Sequence, residues 1–457
     1  MTQTTPTPES SLVQWDKDHI LHPATSITML EKEGPKIIKG AQGAYIKDQH
    51  GRELFDGIAG LWCVNLGHGR IEIAEAMAKA ATELDYAHTF NGQSNNAQIE
   101  LSRKLVELSP PSLNHVFYGC SGSDANDTLV KIAWQYHITK GVPTKRKVIS
   151  RWQAYHGTSI STASLTGLKG FHQAFHLPLD FVTHTLTPHY YLQARNSESE
   201  TTFTQRLLTS LEQLIDEEGA DNIAAFIGEP IMGAGGVITP PDGYWSGVQK
   251  ICKHHNILII SDEVVCGYGR TGKPFGCQHY DFEPDMMSTA KGLTSGMFPM
   301  SASFISDDIH NTLREASQQL GSFFHGYTYS GHPVGAAVAL KVLEIMHRES
   351  IVEHAQNIGQ YLHQRLHDTF SQHPYIGEIR GKGLLAALQF VQQKEHKILF
   401  APEDKIAAKA ASACVEQGLI ARPLPSIGAL ALSPPLTITR HDVDVIISKL
   451  STAIGNL

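Results

Sequence analysis

The run Ile257-Leu258-Ile259-Ile260 constrains the fold more than any other stretch, because an unbroken apolar, largely β-branched segment suits a strand covered on both faces. It turns polar at Ser261-Asp262-Glu263 and breaks at the glycines of Cys266-Gly267-Tyr268-Gly269, so it reads as a buried parallel strand with an acid at its carboxyl end. A second, shorter run, Asp285-Met286-Met287-Ser288-Thr289-Ala290, ends on Lys291 and Gly292. Further strand-like runs stand at Lys147-Val148-Ile149-Ser150, at Ile223-Ala224-Ala225-Phe226-Ile227-Gly228 after a helical pattern over 207–218, and at Ser301-Ala302-Ser303-Phe304-Ile305. Alternation of this kind implies an α/β fold with a mainly parallel, doubly wound sheet.

In such a sheet the functional crevice lies beyond the carboxyl ends of the strands, so Asp262 and Lys291 share one cleft if their strands are near neighbours. That pair suits pyridoxal 5'-phosphate, which needs a lysine amine for a Schiff base and a carboxylate to keep its pyridine nitrogen protonated. Desolvation lowers a lysine's pKa and supplies the neutral amine required for attack. Taken singly, a lysine after a strand is more often a solvated charge, and an aspartate there is more often a turn or cap residue.

A phosphate site gives the pair its meaning. The short strand His115-Val116-Phe117-Tyr118 runs into Gly119-Cys120-Ser121-Gly122-Ser123-Asp124, and a helical pattern follows through Leu129, Ala133 and Tyr136 until Gly141 and Pro143. A strand, a Gly/Ser turn and a helix start present free N–H groups and a favourable dipole to an anion; a plain N-cap would need only one of the serines. A rival motif, Gly267-Tyr268-Gly269-Arg270-Thr271-Gly272, has the spacing of a dinucleotide loop and invites a dehydrogenase reading. Lys273-Pro274-Phe275-Gly276 follows it and prevents the helix such a loop must open.

The rest of the chain frames these motifs. Residues 43–56 alternate and turn like a hairpin, helical patterns cover 71–82 and 96–108, and Trp62 stands between hairpin and helix, at a domain junction or in ordinary core. A long alanine-rich helix from Pro333 to His347 leads to an α+β carboxyl-terminal region ending in a helix from His441. A length of 457 residues implies two domains. A net charge of −8 without a basic cluster argues against nucleic acid as a partner, and the absence of a long apolar run argues against a membrane span. Residues 1–8 read as a frayed tail rather than a secretion signal, which makes a cytoplasmic location the expectation. The six cysteines lack C-x-x-C spacing and the 25 histidines lack ligand spacing, so neither a disulfide scaffold nor a metal is expected.

With Ser121-Gly122-Ser123-Asp124-Ala125-Asn126, Tyr155-His156-Gly157, Gly228-Glu229-Pro230, Ser261-Asp262-Glu263-Val264, Ala290-Lys291-Gly292 and His325-Gly326-Tyr327-Thr328-Tyr329-Ser330-Gly331-His332-Pro333 in combination, the chain resembles the class III, or omega, aminotransferases of pyridoxal-phosphate fold type I. The resemblance runs from Gly43 to the last helix, and Gly60-Leu61-Trp62 with Leu419-Ile420-Ala421-Arg422-Pro423-Leu424 makes it most like the amine:pyruvate and polyamine:pyruvate branch. It implies a large cofactor-binding domain over 66–333 and a small α+β domain built from 1–65 and 334–457. It also implies that Lys291 forms the Schiff base, Asp262 holds the pyridine nitrogen, Val264 and Tyr155 face the ring from opposite sides, and Ser121 and Gly122 bind the phosphate. Thr328 would reach the cofactor phosphate of the neighbouring subunit, implying an obligate homodimer and leaving a tetramer open. Trp62, Phe90 and Arg422 would meet the substrate, Arg422 pairing with a keto-acid carboxylate and swinging away from amines that lack one. Glu229 is either a strand-end acid or a cofactor neighbour, and His156 either core or cofactor neighbour.

Cys120, Asp124 and Ala24 depart from the residues common in relatives, and Ala24 suggests a roomier pocket. The implied activity is ping-pong transamination from a primary amine or omega-amino acid to pyruvate or a similar keto acid. A decarboxylase or aminomutase on the same fold, and a noncatalytic binding protein, are its rivals.

Overall fold

A computed structural model of the chain describes residues 8–455. The frayed-tail expectation therefore falls outside the described residues except for Pro8, which opens a helix, Pro8–His19. That helix and a second, Ile27–Glu33, were not legible in the sequence; the second buries none of its side chains.

Three strands follow, β1 (Ile38–Gln42), β2 (Tyr45–Asp48) and β3 (Glu53–Asp56), joined in antiparallel pairs, so the expected hairpin is β2–β3 and gains one strand before it. The central sheet is built from β4 (Leu113–Gly119), β5 (Lys147–Arg151), β6 (Val182–Thr185), β7 (Ile223–Gly228), β8 (Leu258–Asp262), β9 (Met286–Thr289) and β10 (Ser301–Ser306). Its order is β4-β10-β9-β8-β7-β5-β6. The β9-β8-β7-β5-β6 part is parallel throughout, and its innermost strands β7, β8 and β9 are buried residue by residue, as continuous apolar runs require. β10 runs antiparallel to both neighbours. The link 290–300 is too short for a crossover helix, so the chain can only double back.

The helix Gly122–Thr139 leaves β4 and packs across β10, β9, β8 and β7 before the chain enters β5. The order thus reverses where this helix begins, and its first turn overhangs the carboxyl ends of β8 and β9.

The carboxyl-terminal chain adds β11 (Ile376–Lys382), β12 (Leu385–Phe390), β13 (Leu419–Ile420), β14 (Arg422–Leu424) and β15 (Ala429–Leu432). Four of these form a sheet of order β11-β12-β15-β14, while β13 leaves it to pair in parallel with β3, so the two ends of the chain share a sheet. The long helix Pro333–Arg348 has Pro at its first turn, where a missing N–H costs nothing, and packs on Ile71–Glu83 and Asn96–Leu108. The last helix is Arg440–Gly455, packed on Ile351–Phe370.

The glycine motif that imitates a dinucleotide loop opens no α-helix; turns lead from it to a short 3-10 segment, Gly276–His279. Its Arg270 is fully buried and donates to the carbonyls of Leu384 and Pro434 and to Asn65 Oδ1. One guanidinium thereby fastens the central sheet to both ends of the chain. Among the described residues no helix is long and apolar enough to cross a membrane.

Candidate active site

Asp262 is the last residue of β8, and in the parallel β8–β9 ladder it stands opposite Ser288. Lys291 follows the end of β9 and opens the 3-10 turn Lys291–Thr294. The acid and the amine therefore leave adjacent strands at the same edge of the sheet. Lys291 has φ 41°, and Trp62 has φ 61°, both in the left-handed region that side chains rarely occupy. Backbone strain of this kind gathers where structure serves chemistry rather than stability.

The Asp262 carboxylate is buried and held by three donors. Oδ2 accepts from His156 Nδ1 at 2.7 Å and from Asn126 Nδ2 at 2.8 Å, and Oδ1 accepts from the Val264 N–H at 3.1 Å. Because a carboxylate only accepts, His156 carries its hydrogen on Nδ1, which leaves its buried Nε2 without a partner among the described residues. Asp262 Oδ1 keeps capacity for one more donor, as a protonated ring nitrogen would require. Asn126 also donates to the His156 carbonyl at 2.8 Å, closing the support. Asn126 has no role in the sequence reading, although it lies one helical turn beyond Gly122 on the same face, a spacing that could have revealed it.

Around the amine the groups are Asp262, Arg422, Cys63 and Glu229. Lys291 Nζ makes no hydrogen bond or ion pair among the described residues and lies 5.9 Å from the centre of the Trp62 ring. Burial, reinforced by the Arg422 charge and opposed by Asp262, pushes its amine below the ordinary lysine value. Arg422, the first residue of β14, places Cζ 5.1 Å from the same ring. It pairs with no carboxylate among the described residues. The buried Trp62 thus carries the amine and the guanidinium together, and Gly233 lets it sit there, since a Cβ at that position would come within 2.4 Å of the ring.

Ser121 caps the helix Gly122–Thr139 in a capping box with Asp124. The Asp124 carboxylate takes the N–H groups of Cys120 and Ser121 and the Ser301 hydroxyl, while the Ser121 hydroxyl accepts from the Asp124 N–H. An anion held here as the resemblance implies would meet the Ser121 hydroxyl hydrogen rather than its backbone N–H, with Gly122 and Ser123 as the remaining backbone donors. Gly122 itself cannot grow, because a Cβ would lie 2.9 Å from both Val264 methyls.

Glu229 is buried beyond β7 and accepts from the N–H groups of Tyr155 at 3.0 Å and Gly233 at 2.7 Å. It therefore positions both Tyr155 and the glycine beneath Trp62. Burial pushes the Tyr155 hydroxyl and the Glu229 carboxyl upward.

Other predicted residues stand apart. Thr328 is exposed and shares no hydrogen bond with Ser121 or Gly122 among the described residues; its carbonyl accepts from Tyr86 Oη at 2.9 Å. Phe90 is 44% exposed, and its ring lies against Gly326. Ala24 is exposed, with φ 47°, between the two amino-terminal helices.

A paired amine and acid, with a helix-start anion cup and orphaned buried polar atoms beside them, fit pyridoxal phosphate. Asp262 would hold its ring nitrogen, Lys291 its aldehyde, and Ser121 with Gly122 its phosphate.

Comparison with known proteins agrees. The chain is 42% identical over 455 residues to the diaminobutyrate–2-oxoglutarate transaminase of Halomonas elongata, covering 99% of this chain and 97% of that one. It is 40% identical over 434 residues to the putrescine–pyruvate aminotransferase of Pseudomonas aeruginosa, covering 94% and 93%. The omega transaminase of Pseudomonas jessenii, solved in complex with PMP, superposes with a TM-score of 0.96 at 41% identity, covering 98% of each chain. The sequence model of the family described as aminotransferase class-III matches residues 29–454, and the chain belongs to that family.

Proposed function

We propose that this class III aminotransferase moves an amino group from a primary amine or omega-amino acid to pyruvate, or to a similar keto acid, in two half-reactions. The observation that carries the reading is the Trp62 ring with the Lys291 amine at 5.9 Å and the unpaired Arg422 guanidinium at 5.1 Å. A cation without a carboxylate, beside a depressed amine, is suited to a substrate that brings its own carboxylate.

Bound pyridoxal phosphate supplies an aldehyde that captures amines and a ring that takes up electrons when a proton leaves the substrate carbon. The chain does the rest. Lys291, its amine lowered from the ordinary lysine value by burial, takes that proton as base and gives it back as acid. Asp262, braced by His156, Asn126 and the Val264 N–H, keeps its negative charge aimed at one place. Arg422 recognises the carboxylate of the acceptor and leaves the pocket to the donor when none is present. Val264 and Tyr155 enclose the reacting plane, and Trp62 and Phe90 shape the space for the donor. Thr328 completes the phosphate site of a second subunit, so the working unit is a homodimer.

Pyruvate is proposed as acceptor with a putrescine–pyruvate enzyme at 40% identity in its support, and 2-oxoglutarate is its rival because a somewhat more similar relative, at 42%, is named for it. Two experiments test the reading. Borohydride reduction of the cofactor-loaded protein followed by peptide mapping is expected to find the label on Lys291; a label elsewhere, or none, removes the mechanism. A panel of diamines, β-alanine, taurine and aryl alkyl amines against the two keto acids, scored by keto-acid consumption, identifies the pair, and a product released with carbon dioxide would point to a decarboxylase instead.

A further inference from the structure

The segment 325–331 carries Thr328, and it is gripped from two sides. On one side His325 reaches the helix Gly122–Thr139: its Nδ1 lies 2.9 Å from Lys131 Nζ and its Nε2 lies 2.8 Å from Thr128 Oγ1. An ammonium only donates, so Nδ1 accepts, Nε2 carries the hydrogen, and the ring donates to Thr128. The Thr128 hydroxyl in turn donates to the Asp124 carbonyl at 2.7 Å, which also accepts from Tyr327 Oη at 3.1 Å. Asp124 is the residue whose carboxylate shapes the anion cup. Phe117 stacks on the His325 ring at 5.2 Å and 23°, and burial, with Lys131 beside it, pushes the ring down to about 4, so it stays a neutral acceptor near pH 7.

On the other side three donors from 86–95 hold the segment's carbonyls: Tyr86 Oη to Thr328 at 2.9 Å, Thr89 Oγ1 to Ser330 at 3.1 Å and Asn95 Nδ2 to Gly331 at 3.0 Å. The same stretch places the Phe90 ring on Gly326, where an added Cβ would lie 2.8 Å from it. The backbone of Thr328 is thus fixed between the cup helix and the Phe90 stretch while its side chain is left exposed.

We infer that His325 is a positioning residue, locking the segment onto the cup helix through Thr128 and Lys131 so that Thr328 is presented to the cofactor phosphate of a second copy of this chain. The inference rests on the proposed role of Thr328 in the partner's site. A residue that only filled its own core would need neither ring nitrogen. Each has a partner on the cup helix, one of them charged.

His325→Phe keeps the stack on Phe117 and removes both hydrogen bonds. In the homodimer the dissociation constant for pyridoxal phosphate, read by titrating visible absorbance, should rise about tenfold, the equivalent of one charge-assisted hydrogen bond. Mixed dimers locate the effect. When one subunit carries both His325→Phe and Lys291→Ala and the other is unaltered, the single lysine-bearing site faces the altered segment, and its affinity, read as the cofactor that borohydride fixes to Lys291, should fall about tenfold. When Lys291→Ala and His325→Phe are on different subunits, that site faces an intact segment, and affinity should stay within about twofold of the unaltered protein. The reverse pattern, equal weakening in both dimers, or unchanged affinity in both overturns the inference. Thr328→Ala, placed in the first arrangement in place of His325→Phe, separates the two ideas: if it leaves affinity unchanged, the reading of Thr328 itself fails, and if it weakens binding while His325→Phe does not, only the positioning role fails.

Discussion

Replacing Arg422 with methionine keeps an apolar stem against the Trp62 ring and removes the guanidinium, which should divide the two half-reactions. Arg422 is half-buried, stands 5.1 Å from the ring centre and has no carboxylate partner among the described residues. Its removal therefore leaves no acid stranded, and because the loss of its charge beside Lys291 bears on both half-reactions, the difference between them reads out the substrate contacts. A two-pronged contact to a keto-acid carboxylate comprises two charge-assisted hydrogen bonds of about 1.5–3 kcal/mol each, and partial exposure favours the lower figure, about 3 kcal/mol in all. That corresponds to a fall of roughly 150-fold in kcat/KM for pyruvate. For an amine without a carboxylate, kcat/KM should change by less than about threefold, the scale of a lost exposed cation–π contact. Steady-state kinetics with each substrate varied in turn gives both values. If the two fall by the same factor, Arg422 serves folding or the cofactor rather than the acceptor; if pyruvate falls by less than about threefold, it does not read the carboxylate at all.

Asp262→Asn removes the charge on which His156, Asn126 and the Val264 N–H converge, and turnover at saturating cofactor should fall by at least about a hundredfold, measured as initial rate. Lys291→Ala should abolish turnover while cofactor still binds, seen as retained absorbance without keto-acid consumption; surviving turnover would refute its role. Arg270→Met strands three buried acceptors, the carbonyls of Leu384 and Pro434 and Asn65 Oδ1, and should cost about 3 kcal/mol or more, read as a lower urea midpoint. Glu263 is fully buried, and burial raises its carboxyl from the ordinary 4.5 to about 7 although the N–H groups of Gly276 and Cys277 donate to it. The folded chain then keeps a proton that the unfolded chain releases, so this group's contribution to stability declines as pH rises from about 4.5 to about 7 and is level above; Glu263→Gln should remove that decline, worth about 3 kcal/mol, in urea midpoints compared between pH 4.5 and pH 8.

The residues most legible in the sequence are those whose position follows from local pattern. An unbroken apolar run marked β8 as a doubly covered strand, and the polar residues closing β8 and following β9 set Asp262 and Lys291 at strand ends, in one cleft on condition that the two strands were neighbours, which they are. Pro274 was enough to deny the glycine motif its helix. Less was legible where partners come from afar. The reversal of β10 depends on a loop length, and the β3–β13 pair joins residues more than 350 apart. Asn126, His156 and Glu229 act by holding other residues in place, and although helical spacing sets Asn126 beside Gly122, no local pattern says which partner each of them holds. Phe90 was aligned from resemblance; its contact with Gly326 shows that it shares a scaffold with Thr328, which no local pattern announces.

If Arg422 reads the acceptor as proposed, the pairing of β13 with β3 bears on when, during synthesis, selectivity can arise. Asp262 and Lys291 leave the ribosome about 160 and about 130 residues before Arg422, which directly follows β13, the strand that pairs with one made near the start. At translation speeds of about 5–20 residues per second, the shorter interval is roughly 6 to 26 seconds. On the roles proposed above, a nascent chain in that window already carries Lys291 but not yet the residue that would tell one acceptor from another, so choice of acceptor would be written into a later segment than the chemistry.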